Sequence, residues 1–247
     1  MRTRTFIIGC ILAVAVFLFA QHRQQPAQSY GFREVVDLTH PIRSQVGAYE
    51  LADQSASHTR KIPEHFATSL DAPADFAHGL WAVDQIPADR MVAPLVVLDV
   101  TANAAVNADY QLSVEDIAKY EQAHGQIPLH AVVMAQTGWE SRWNSANAYR
   151  NADAKGIMHF PGYSFDTARF LVEGRSALGL GIDTPSIDYG ASQNLPVRQY
   201  TLSHSLYHLE NVANLEHAPA TGGMVLVAPM KLEGGSTGPV RILALVR

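Results

Sequence analysis

His65, Ser69, Asp71 and Asp75 stand at intervals of four, two and four residues in the stretch Glu64-His65-Phe66-Ala67-Thr68-Ser69-Leu70-Asp71-Ala72-Pro73-Ala74-Asp75-Phe76. A loop leading into a turn at Pro73 can bring these side chains to one point. Imidazole is the commonest metal ligand and titrates near neutrality, while carboxylates bind divalent ions or move protons. A His and two Asp can equally stand solvated in a polar loop, so spacing alone leaves both readings open. The chain carries 11 His, which makes imidazole worth following.

Such side chains need a scaffold. Four runs rich in β-branched residues, 91–100, 131–137, 224–228 and 240–246, read as buried strands. Three segments read as helices: 113–124, capped by Ser113; 165–173, after the turn Phe160-Pro161-Gly162; and 201–215, with apolar residues at Leu202, Leu206, Leu209 and Val212. Strands outnumber helices and are spread along the chain, which predicts a mixed α/β domain with helices packed on sheet faces. No internal repeat, second linker or low-complexity tract is visible, so 35–247 reads as one domain preceded by a polar leader, 21–34.

The first 20 residues read differently. Arg2 and Arg4 precede an apolar, uncharged run from Phe6 to Ala20, as in a secretory signal peptide cleaved after Ala20. That run is short for a spanning helix, which needs about 20 apolar residues. The expectation is export to the periplasm or medium, with an uncleaved N-terminal anchor as the alternative.

With 247 residues, 47% hydrophobic and 17% charged, the chain is long enough to hold a pocket without disulfides. Its single Cys excludes an intrachain disulfide and a cysteine-rich metal site. A formal charge of −5 and the absence of a long basic run argue against nucleic-acid binding.

The segment 65–75 resembles the signature H-x-G-T-H-x-D-x-P-x-H of the cyclase family of metal-dependent hydrolases, which includes kynurenine formamidase and isatin hydrolase. Other segments agree in order: Asp37-Leu38-Thr39-His40-Pro41-Ile42, the W-x-V-D-x-I-P element at 81–87, Thr137-Gly138-Trp139, Phe160-Pro161-Gly162, Gly181-Ile182-Asp183-Thr184-Pro185-Ser186-Ile187-Asp188 and Glu210-Asn211. The resemblance implies a single compact α/β domain with a swivelling mixed β-sheet flanked by helices, assembled as a homodimer or homotetramer. It also implies hydrolysis of a small N-formyl or cyclic amide by water activated on a divalent metal, zinc or manganese.

Carried over residue by residue, the resemblance makes His65, Asp71 and Glu210 metal ligands. Asp75 stands where the family has its last signature His and, with His65, is the candidate for proton transfer. Ser69 replaces the second His, and Arg198 replaces the His twelve residues before Glu210. A guanidinium close to a divalent ion is strongly repelled. Arg198 must therefore point away, bind a substrate anion, or replace the metal by pairing with Asp71, Asp75 or Glu210.

Trp81, Trp139 and His159 are candidates to line a substrate pocket, and Asp183 and Asp188 to hold turns through backbone N–H groups. His204 and His208 stand four apart on the expected helix 201–215 and would share a face there, but Glu210 would lie about 200° round from His208. Two functional readings result. One is an exported metal-dependent amide hydrolase; the other is a non-catalytic descendant that binds an anionic small molecule through Arg198.

Overall fold

Eight strands build the core of the computed structural model, which describes residues 31–42, 45–46, 49–50 and 62–247. The signal-peptide expectation and most of the polar leader lie outside the described residues. The strands are β1 (Glu34–Asp37), β2 (Ser69–Asp71), β3 (Val92–Asp99), β4 (Val132–Gln136), β5 (Gly179–Ile182), β6 (Tyr207–Glu210), β7 (Gly223–Pro229) and β8 (Thr237–Val246). Their order is β1-β8-β7-β3-β4-β5-β6-β2, and β2 pairs again with β8. The mixed sheet thus closes into a seven-strand barrel, with β1 appended to the outside of β8.

β3, β4, β5 and β6 run parallel to one another, and the remaining pairings are antiparallel. The expected strand runs at 91–100, 131–137, 224–228 and 240–246 all appear, each within a few residues of its expected ends. Their side chains divide by period two. Leu95, Val97, Val132, Met134, Leu70, Leu209 and Val225 fill the barrel. Val96, Leu98, Val133, Ala135, Leu180 and Ile182 face outward against helices. The interior is tight at β5, where a Cβ on Gly179 would lie 2.5 Å from the Tyr207 ring.

Five helices complete the unit: α1 (Thr101–Val106), α2 (Val114–His124), α3 (Ala146–Arg150), α4 (Phe165–Arg175) and α5 (Pro196–Ser203). α2 and α4 start where polar caps predict. The Ser113 hydroxyl accepts from Asp116 N–H, and the Asp116 carboxylate accepts from Ser113 N–H; Ser164 takes the N–H of Thr167. Ile117, Tyr120, Ala168 and Leu171 then pack on the outer faces of β3, β4 and β5. Among the described residues no helix is long and apolar enough to cross a membrane.

The expected helix 201–215 is corrected. α5 ends at Ser203, and the chain turns through Ser205 (φ 64°) into β6. Ser205 N–H donates to Leu202 O at 3.0 Å and Leu206 N–H to Thr201 O at 3.1 Å, the paired bonds that close a helix through a left-handed residue. Ser205 fills the position usually held by Gly, so no Gly or Pro marks the break. Leu202, Leu206 and Leu209 match a helical period by coincidence.

Candidate active site

β2 and β6 pair with His208 opposite Asp71 and Glu210 opposite Ser69. Opposed residues share a face, so four polar side chains form a patch on the outside of the barrel, back to back with Leu70 and Leu209 in its interior. All four are fully buried. This corrects the helical expectation for His208 and Glu210. Two residues apart on a strand, they point the same way.

α5 covers this patch, and Asp188 fixes where it starts. Its carboxylate accepts the backbone N–H groups of Val197 at 3.0 Å and Arg198 at 2.9 Å. The helix has no cap of its own, because Leu195 precedes Pro196 in a left-handed conformation (φ 45°). Asp188 supplies the missing cap from the loop that leads into the helix. Asp183 acts similarly, accepting the N–H groups of Thr137 and Trp139 and the Thr137 hydroxyl. Both residues hold backbone N–H groups as expected, Asp188 those of the helix that follows it and Asp183 those of a segment more than 40 residues earlier in the chain.

Held in this way, Arg198 points into the patch. Its Nη1 lies 2.7 Å from Asp71 Oδ2 and 2.9 Å from Asp75 Oδ2, and its Nη2 lies 2.6 Å from Glu210 Oε1. Of the three orientations open to Arg198, the structure adopts the ion pair, with all three carboxylates at once. Asp75 is further held by the Ser236 hydroxyl at 3.0 Å, and Glu210 Oε1 by Ile187 N–H at 3.2 Å.

His65 approaches from the other side. Its Nδ1 is 3.3 Å from Asp71 Oδ1 and its Nε2 is 3.3 Å from Glu210 Oε2. The guanidinium thus takes one oxygen of each carboxylate and the imidazole takes the other. Although burial favours the neutral ring, the Asp71 hydrogen bond and the charges of Glu210 and Asp71 push His65 up to about 9. Burial and the adjacent Asp71 charge push Glu210 up to about 7, against the pull of Arg198 and His65. For Asp71, burial is outweighed by the His65 hydrogen bond and the Arg198 charge, which hold its carboxyl well below the usual carboxylate range.

His208 is neutral in this setting: burial first, and then the Arg198 charge, lower its pKa to about 3. Its Nε2 is 2.6 Å from Thr201 Oγ1, whose own hydrogen goes to Val197 O at 2.7 Å. Nε2–H therefore donates to the hydroxyl, which leaves Nδ1 as a bare acceptor. His208 Nδ1, Ser69 Oγ and Arg198 Nε are buried without a hydrogen bond, and Glu210 Oε2 has only the 3.3 Å approach of His65 Nε2. Such a concentration of unsatisfied polar atoms is costly in a protein by itself and is expected where a ligand or ion completes the site.

Two left-handed residues flank the patch, Ala67 (φ 56°) and Asn211 (φ 53°). The Asn211 side-chain amide donates to Ala67 O at 2.8 Å, and the Thr68 hydroxyl donates to Asn211 O at 2.7 Å. Strained backbone thus joins the His65 loop to the end of β6.

Other candidates have different surroundings. His159 pairs with Asp109 at 2.8 Å and lies 3.9 Å from Asp153. Trp81 packs against the barrel core, under the Arg90 guanidinium. Trp139 is buried with Phe66, Trp143, Tyr149 and Phe160. His204 lies on the exposed end of α5, its Nδ1 2.7 Å from Tyr200 O. Sequence reasoning underweighted His208, because the four-residue alternation Tyr207-His208-Leu209-Glu210 is too short to mark a strand by itself.

The Cyclase family model matches residues 36–189. The chain belongs to the Cyclase family. It is 32% identical over 195 residues to the isatin hydrolase of Roseibium aggregatum, covering 75% of this chain and 73% of that one. It is 25% identical over 181 residues to the kynurenine formamidase of Salinibacter ruber, covering 73% and 76%. The solved isatin hydrolase A from Ralstonia solanacearum superposes with a TM-score of 0.78 at 32% identity, over 87% of this chain and 92% of that one.

Cyclase-family relatives raise the question of a metal ion, and the residues present fit one. His65, Asp71 and Glu210 each offer a ligand atom, all within 4.8 Å of one another. The buried Glu210 Oε2 has no hydrogen bond to satisfy it. One imidazole and two carboxylates are a hard-to-borderline donor set suited to zinc or manganese.

Proposed function

We propose that the chain is a hydrolase that cleaves the C–N bond of a small N-formyl or cyclic amide, with a divalent ion, zinc or manganese, held by His65, Asp71 and Glu210. The observation that carries this reading is the convergence of those three side chains, with Asp71 Oδ1 and Glu210 Oε2 directed to His65 rather than to Arg198. The names of the similar proteins, isatin hydrolase and kynurenine formamidase, support the bond type. When bound, the ion supplies Lewis acidity and lowers the pKa of a water.

The chain's own residues do the rest. Arg198 offsets part of the charge of three clustered carboxylates and orients them. Asp75 is partly exposed and, with His65, is placed to accept and return a proton. Trp81 and His159 are proposed as substrate-facing walls; the Trp81 carbonyl accepts the N–H of Ala74, next to Asp75. The same proposal has an exported chain, assembled as a homodimer or homotetramer.

A second reading rests on one observation, the three ion pairs of Arg198. In it the guanidinium stands in for the metal and the site holds no ion. Its role as an anion hook is not supported, because both terminal nitrogens are already taken by carboxylates. Elemental analysis of protein purified without chelator separates the two readings. One equivalent of zinc or manganese, lost in Asp71→Ala, supports the hydrolase, and turnover of isatin or an N-formylated arylamine would then identify the substrate. Protein that stays metal-free after soaking in both ions supports the second reading.

A further inference from the structure

Three carboxylate oxygens converge on the Arg198 guanidinium: Asp71 Oδ2, Asp75 Oδ2 and Glu210 Oε1, at 2.7, 2.9 and 2.6 Å from its terminal nitrogens. Oxygens gathered this closely around one positive group are also what a hard divalent ion requires. On the far side of the same two buried carboxylates, Asp71 Oδ1 and Glu210 Oε2 face His65. Asp71 and Glu210 therefore separate two cation positions, each carboxylate giving one oxygen to either side. One position holds a guanidinium that is part of the chain.

We propose that Arg198 is a resident cation filling the second of these two positions, so that the site accepts a single divalent ion, on the His65 side. The inference rests on the metal-dependent reading above and adds to it the ion count and the residue that sets it. The charges favour this arrangement. Three carboxylates clustered beneath α5 repel one another strongly at low dielectric, and a tethered guanidinium relieves that repulsion without any ion. A second ion would have to displace a forked, charge-assisted network anchored by the Asp188 capture of Arg198 N–H. Glu210 Oε2, buried without a hydrogen bond, lies on the side of His65, which is partly exposed.

The test is a titration of manganese into the full chain, with free Mn2+ read by its paramagnetic resonance signal, for wild type, Arg198→Gln and Arg198→Lys, each checked for native near-UV dichroism. Wild type is expected to take one ion. Arg198→Gln, which removes the charge and keeps an amide donor, is expected to take two, with the bound signal broadened by coupling between neighbouring ions. Arg198→Lys keeps a point charge in place and is expected to take one.

An Arg198→Gln variant that folds and takes one ion with wild-type affinity overturns the proposal and leaves the metal-dependent reading standing. Two ions in wild type or in Arg198→Lys overturn it even if the Gln variant fails to fold. No ion in wild type overturns the metal-dependent reading itself, and this proposal with it.

Discussion

His65 and Arg198 hold Asp71 and Glu210 from opposite sides. The imidazole nitrogens lie 3.3 Å from Asp71 Oδ1 and Glu210 Oε2, and the guanidinium nitrogens lie 2.7 and 2.6 Å from Asp71 Oδ2 and Glu210 Oε1. The four groups alternate in charge around a closed ring, which makes each carboxylate common to two partners.

That sharing makes Asp71 costly to neutralise. Asp71→Asn removes a fully buried charge, takes the anion from His65 Nδ1 and leaves Arg198 Nη1 with Asp75 alone, and breaking such a buried pair costs about 3–5 kcal/mol. Urea unfolding of the Asn variant should show a loss of this size. A loss under about 1 kcal/mol would mean that solvent reaches the network and screens it.

Asp188 sets the start of α5 and so the aim of Arg198. Asp188→Ala should cost about 1–2 kcal/mol, the usual penalty for losing a helix cap. It should also weaken manganese binding, because Arg198 then no longer holds the two carboxylates in register. Unchanged manganese affinity in a folded Ala variant would show that α5 is placed by packing alone.

Glu140 should give stability a pH dependence. Burial pushes its carboxyl up to about 7, against the pull of the Asn214 N–H that donates to Oε2 at 2.6 Å. The folded protein therefore holds this proton more tightly than the unfolded chain does. Its contribution is fully present below the ordinary carboxyl value of 4.5 and is lost as pH rises to about 7. With screening at a half-open carboxyl allowed for, wild type should lose about 1 kcal/mol relative to Glu140→Gln across that window. A constant difference between the two proteins from pH 4.5 to 7 would refute this account.

Gly179 tests the barrel. An added Cβ would lie 2.5 Å from the ring of Tyr207, whose hydroxyl is tied to Arg90 O at 3.0 Å and which therefore cannot move freely. Gly179→Ala should be destabilised by about 1–3 kcal/mol. A thermal midpoint equal to wild type would mean that β5 shifts to make room.

By itself the sequence determined the family, through the order of its motifs, and that resemblance, not spacing alone, made His65, Asp71 and Glu210 the candidate ligands. It determined the long strands as well, since apolar runs such as those of β3 and β4 are buried in almost any arrangement. Two things were left to the tertiary structure. The first is that His208 and Glu210 share a face. Four residues are too few for period two to be told from period 3.6, and the helix that precedes them ends at Ser203 and turns through Ser205 (φ 64°) without a glycine. The second is the direction of Arg198. A charged side chain turns toward whichever opposite charges the fold brings near, and here these come from β2, the Pro73 turn and β6, with Asp188 holding the helix that carries the guanidinium. No local pattern encodes that meeting, because the segments become neighbours only when the barrel closes.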